Sequence, residues 1–129
     1  QVPGVGLITA LTFILTLEDP RRFETSRIVG AYLGLVPSRR QSGARDEKRG
    51  ITKQGDPALR VLLVQCAQYI LRPSSPDSDL KRHGLKIASS NRSGGKQAAV
   101  IAVARKLAVL LHALWTTGEV YEPLRNQVA

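Results

Sequence analysis

The sequence predicts an all-α domain of about five helices joined by one long basic loop. Three observations lead there. The chain has 129 residues, one domain's worth, and a chain of that size can bury about two-thirds of its surface. Its apolar fraction is 43% and only 5% is aromatic, so Leu, Val, Ile and Ala must build the core. Apolar segments with helical start and stop signals run through the chain, and the one long stretch with hardly any apolar side chains is residues 36–56.

The elements follow in order. Leu7 to Leu17 (LITALTFILTL) is almost wholly apolar, reads as a buried helix, and stops at Asp19-Pro20. Ser26 to Leu33 (SRIVGAYL) forms a second helix, with Thr25 or Ser26 as its cap and Gly34 ending it in the left-handed conformation. Residues 36–56 (VPSRRQSGARDEKRGITKQGD) hold three glycines and read as a long loop or a loose hairpin. Asp56-Pro57 opens a third helix, with Asp as N-cap and Pro at the first helical position, running to about Leu71. Its polar residues Arg60, Gln68 and Arg72 share one narrow face, and the rest should face the core. After Pro73 to Pro76, residues Asp79 to Ala88 form a weaker basic helix. Asn91 to Gly95 is a turn, and Lys96 to Thr117, rich in Ala and Leu, is the central core helix, ended by Gly118. Residues 119–129 read as a C-terminal tail.

Charge gives the first functional indication. Lys and Arg number 19 against 10 Asp and Glu, a net +9. Such a field attracts polyanions, nucleic acid before an anionic membrane surface or an acidic protein. The longest uninterrupted apolar run, Ala98 to Ala104, is too short to cross a bilayer, so no membrane partner is expected. Cys66 is the one cysteine and cannot form an internal disulfide, which fits a reducing, cytoplasmic compartment. No charged leader region precedes the first helix, and the chain, which lacks Met, reads as a domain of a longer protein.

Three constellations could carry chemistry. Pro3-Gly4-Val5-Gly6 followed by Ala10 resembles the hairpin of a helix-hairpin-helix motif, in which Gly4 and Gly6 let the backbone approach a DNA phosphate. A plain glycine turn is the alternative. From Val36 to Arg60 the chain carries seven basic residues, Arg39, Arg40, Arg45, Lys48, Arg49, Lys53 and Arg60, against three acidic ones, a net +4. These can clamp phosphate oxygens, or they can form a solvated charged loop. Inside that segment the Ser42-Gly43 pair could attack a phosphodiester, although no histidine stands near it in sequence, and Ser26 and Ser38 are comparable candidates. His83, His112 and Cys66 show no metal-ligand spacing, so no metal site is expected. Cys66, Tyr69 and Trp115 fit core packing.

The order of these pieces is similar to the C-terminal transposase domain of a family of bacterial insertion-sequence transposases. The resemblance begins at Pro3-Gly4-Val5-Gly6 and passes through Asp19-Pro20-Arg21-Arg22-Phe23 and Ala31-Tyr32-Leu33-Gly34-Leu35. Its centre is Pro37 to Gly43 (PSRRQSG), Gly50-Ile51-Thr52-Lys53-Gln54-Gly55 and Leu59-Arg60, and it ends in Ala102-Val103-Ala104-Arg105-Lys106-Leu107. It covers roughly residues 3–118 and makes 1–118 the C-terminal transposase domain. Thr52 stands where the family usually has Ser, and Gly84 breaks a helix in the less typical segment from Arg72 to Arg92.

The resemblance implies a serine recombinase half-site with Ser42 as nucleophile. It implies a separate N-terminal RuvC-like domain whose acidic residues hold Mg²⁺, no cofactor in this chain itself, double-stranded DNA and a guide RNA as partners, and a homo-oligomer in bacterial cytoplasm near the nucleoid. Arg39, Arg40, Arg45, Lys48, Arg49, Lys53 and Arg60 are the expected phosphate contacts. A non-catalytic DNA-binding module of the helix-hairpin-helix type, or an oligomerisation domain, would share the charge but not the serine.

Overall fold

The computed structural model describes residues 1–35, 37–42, 45–51, 55–90 and 93–126, with the two strands described through their backbone. Five α-helices carry the core, as the sequence predicts: α1 (Leu7–Leu17), α2 (Arg27–Tyr32), α3 (Pro57–Ile70), α4 (Asp79–Ala88) and α5 (Gly95–Thr117). The basic segment is not a loop over most of its length. It forms an antiparallel hairpin of β1 (Pro37–Ser42) and β2 (Arg45–Ile51), the second of the two forms its composition allowed. Val36, Gly43, Ala44 and residues 52–54 of the expected loop lie outside the described residues.

Local chemistry sets the helix ends. Asp56 Oδ1 accepts from the backbone N–H groups of Ala58 (2.8 Å) and Leu59 (3.3 Å), with Pro57 at the first helical position. Ser78 Oγ accepts from Lys81 N–H at 3.0 Å and caps α4. Gly34 and Gly118 take positive φ after α2 and α5, as expected. Ser26 does not cap α2: it has helical dihedrals and no capping bond, because its hydroxyl is engaged elsewhere.

α5 is the axis of the fold, packed against α2, α3, α4 and the 3-10 turn at Pro20–Arg22. Val103, Ala104, Leu107 and Ala108 are buried on it, and Leu17, Val29, Leu33, Leu59 and Leu63 close the core around them. By length and apolar composition α5 as a whole could span a bilayer. The apolar run counted in the sequence ends at Arg105, whereas the helix continues past it to Thr117.

Three expectations need correction. α1 is not a buried helix: it buries Thr9, Phe13 and Leu17 against α3 and leaves Leu7 (74%), Ile8 (72%) and Leu15 (74%) exposed. An element apolar all round carries no polar face to show which side turns outward. On α3, Val61 and Tyr69 are exposed and Gln65 with them, so its outer face is wider than Arg60, Gln68 and Arg72. Gly84 does not break α4. A Cβ there would lie 2.6 Å from Val103 Cγ2 and against Leu71 Cδ2, so the missing side chain is what lets α4 sit on α5.

Two polar knots brace the connections. Lys81, buried, donates through Nζ to Ser75 O (2.8 Å) and Pro73 O (3.3 Å), fixing the Pro73–Pro76 break. The tail folds back: Pro123 O accepts from Asp79 N–H at 2.7 Å, and Gln1 Oε1 accepts from Tyr121 N–H at 2.7 Å.

Candidate nucleic-acid interface

The hairpin holds most of the expected phosphate contacts. Its register pairs Ser42 with Arg45, Gln41 with Asp46, Arg40 with Glu47 and Arg39 with Lys48, and an irregularity between Pro37 and Arg39 shifts Pro37 opposite Ile51. Arg49 lies in β2. Ser42 is thus the last residue of β1, paired with an arginine. Lys53 lies outside the described residues.

The base of the hairpin is built at the meeting of α2 and α3. Gly55 has φ +86, and a Cβ on it would meet Tyr32 O at 2.5 Å and Leu33 Cα at 3.1 Å. Only glycine lets the returning chain cross so close to the end of α2. Leu35 is buried on the outgoing side. Arg60, half-buried, donates from Nη1 to Leu33 O at 3.4 Å, tying the first turn of α3 to the end of α2. The expected phosphate contact Arg60 therefore stands at the base of the hairpin, and its described bond is to the protein.

The N-terminal glycines occupy different settings. Gly4 has φ +95, and a Cβ on it would strike Tyr69 Cδ1 at 2.6 Å, so a side chain here would collide with that ring. Gly6 precedes α1 in extended conformation, with open space where a side chain would be. Gly4 stands on Tyr69 near the C-terminal end of α3, whereas the hairpin joins the N-terminal end of that helix at Gly55.

The Asp19-Pro20-Arg21-Arg22-Phe23 segment is a packing knot. Asp19 accepts from Arg21 N–H at 2.9 Å, and the Arg21 guanidinium holds its carboxyl below the usual range. Arg22 donates to Leu17 O at 2.8 Å with its guanidinium 5.6 Å from both the Phe23 and Tyr32 ring centres.

Sequence reasoning, which weighed His112 only as a metal ligand, missed its partners. This side chain is buried. Its Nε2 lies 2.8 Å from Pro20 O and its Nδ1 2.8 Å from Ser26 Oγ. Pro20 O only accepts, so Nε2 carries hydrogen, and in the neutral ring Nδ1 accepts from the Ser26 hydroxyl. The residues lie 86 apart in sequence, beyond the reach of any local pattern. Cys66 is buried as expected, donating weakly to Thr9 Oγ1 at 3.8 Å, and burial pushes its thiol up, away from the reactive thiolate. Among the described residues no three of His, Cys, Asp and Glu group closely enough to hold a metal ion.

The profile of the transposase IS116/IS110/IS902 family matches residues 1–81. The chain is 38% identical over 121 residues to the transposase for insertion sequence element IS1111A of Coxiella burnetii, covering 94% of this chain and 33% of that protein. It is 33% identical over 122 residues to a probable family 20 transposase of Pseudomonas aeruginosa, covering 95% of this chain and 36% of the relative. It is 42% identical over 71 residues to the transposase for insertion sequence element IS1328 of Yersinia enterocolitica, covering 55% of this chain and 21% of that protein. The chain thus spans about a third, or less, of the length of these curated relatives.

Proposed function

Because the chain belongs to the transposase IS116/IS110/IS902 family, we propose that it serves DNA transposition as the domain that supplies the nucleophile, Ser42. The observation that supports this most is the hairpin register, which pairs Ser42 with Arg45 and sets Arg39, Arg40, Lys48 and Arg49 in the same two strands. Positive groups near an attacking oxygen stabilise the charge that builds on a phosphate in the transition state.

In this reading Ser42 Oγ attacks a DNA phosphorus. A P–O bond of the backbone breaks, the departing deoxyribose oxygen takes up a proton, and the serine becomes a phosphodiester. A deoxyribose hydroxyl of another strand then attacks the same phosphorus and restores the serine. The ester keeps the bond energy, so no nucleotide is consumed. The described residues offer no donor set for Mg²⁺, so no step here runs through it. The reading leaves that ion to a RuvC-like acidic domain elsewhere in the protein. Duplex DNA, a guide RNA and further copies of the protein, meeting in bacterial cytoplasm, complete the reading.

The test is transposition by the full-length protein carrying Ser42→Ala. The expected result is loss of transposition with DNA binding kept. Retained transposition would leave this domain a non-catalytic binding module.

A further inference from the structure

A groove of about 710 Å³ opens over α5 between α2, α4 and the tail, away from the hairpin strands. Arg27 of α2 and Arg105 and Lys106 of α5 line it, with Leu110 and Ala113 among its apolar lining. Arg82 is taken by Asp77 (2.6 Å) and Arg125 by Glu119 (3.4 Å). Among the described residues, Arg27, Arg105 and Lys106 have no ion-pair or hydrogen-bond partner. Two carboxylates, Asp79 and Glu122, also line the groove, and Asp79 already accepts from Asn126 N–H at 3.0 Å.

Three cations with no direct ion-pair partner, outnumbering the two carboxylates beside an apolar floor, fit an anion that carries apolar mass. We propose that this groove is a second nucleic-acid contact, in which a phosphodiester strand lies along α5 with its phosphates on Arg27, Arg105 and Lys106 and its sugars over Leu110 and Ala113. The proposal rests on the reading of this domain as a nucleic-acid-binding one.

Two further observations support it. Arg105 links the groove to the helix that carries the hairpin base: a Cβ on Gly30 would lie 2.8 Å from Arg105 Cγ, so Arg105 packs on α2 two residues before Tyr32, the residue that Gly55 approaches. α2 has six residues, about 9 Å at the α-helical rise, so one strand can engage both places. His83, also on the groove wall, is held below its ordinary titration range, first by burial and then by Lys106, Arg105 and Lys86. Burial is the larger cause, and these three cations add a positive field at the ring that a polyanion would relieve.

The experiment titrates the 129-residue chain with a labelled DNA duplex and, separately, a labelled single-stranded RNA across a salt series. Arg27 and Lys106 are both exposed on helices, so Arg27→Gln with Lys106→Gln should leave the helical circular dichroism unchanged. Losing two phosphate contacts should flatten the salt slope by about 1.8 for duplex DNA or about 1.4 for single-stranded RNA, with at least about tenfold weaker binding near 0.15 M salt. The arm that changes identifies the nucleic acid in the groove. Arg27→Lys with Lys106→Arg should bind as the parent does. If the neutral pair binds both probes like the parent while Arg39→Gln with Arg40→Gln weakens binding, the groove proposal fails and the hairpin reading stands. If only the groove pair weakens binding, the hairpin contacts fail instead. A parent chain that binds neither probe overturns both.

Discussion

Ser26 Oγ and His112 Nδ1 meet at 2.8 Å across the fold, and Phe23 packs edge-on to the same imidazole with ring centres 5.6 Å apart. The bond fastens the start of α2 to the C-terminal half of α5, and Pro20 O engages the other ring nitrogen. A serine on a histidine can suggest a nucleophile and its base. Burial of the ring and the use of both its nitrogens favour a structural role.

Ser26→Ala leaves His112 Nδ1 buried without a partner, so it should cost about 1–3 kcal/mol in urea unfolding. In the full-length protein it should leave DNA cleavage in place once the variant is folded. A variant as stable as the parent but unable to cleave DNA would move the nucleophile to Ser26.

Gly84→Ala tests the close approach of α4 and α5. In an open helix this change would stabilise by up to about 1 kcal/mol. Here the added methyl meets Val103 and Leu71 side chains, and overpacking of this kind costs about 1–3 kcal/mol. Thermal unfolding should show a lower Tm, and an unchanged or higher Tm would mean that the helices part easily.

His83 gives a pH dependence of stability. Its folded titration lies below the ordinary value of 6.5, owing to burial and then to Lys106, Arg105 and Lys86. The unfolded chain therefore binds the proton more readily. The favourable contribution is complete above the unfolded value and is lost as pH falls through the folded one. Between about pH 7.5 and 5 the parent should lose more stability than His83→Gln. Equal losses in urea titrations at the two pH values would contradict this.

Much of the fold was legible in local signals. The bounds of α1 and α4 fall where the sequence put them, because Asp19-Pro20 and the Pro73–Pro76 break are strong punctuation. The Asp56 cap formed as its residue type dictates. What local pattern could not reveal was tertiary: which side of the uniformly apolar α1 faces solvent, that the Ser26 hydroxyl serves His112 rather than its own helix, and that Gly84 and Gly55 are contact points between elements. The candidate site divides the same way. Arginines and glycines marked the basic segment, while its hairpin register and the role of Arg60 at its base needed the fold. The groove cations come from two helices, Arg27 from α2 and the adjacent Arg105 and Lys106 from α5, and no single stretch of sequence brings all three together.

The most direct test of the central claim is a covalent-adduct assay on the full-length protein. Labelled target DNA, guide RNA and Mg²⁺ are incubated with parent and Ser42→Ala proteins and resolved on a denaturing gel. A protein–DNA adduct formed by the parent and absent from Ser42→Ala is the predicted result. An adduct that persists in Ser42→Ala would show that the nucleophile lies elsewhere and would contradict the account.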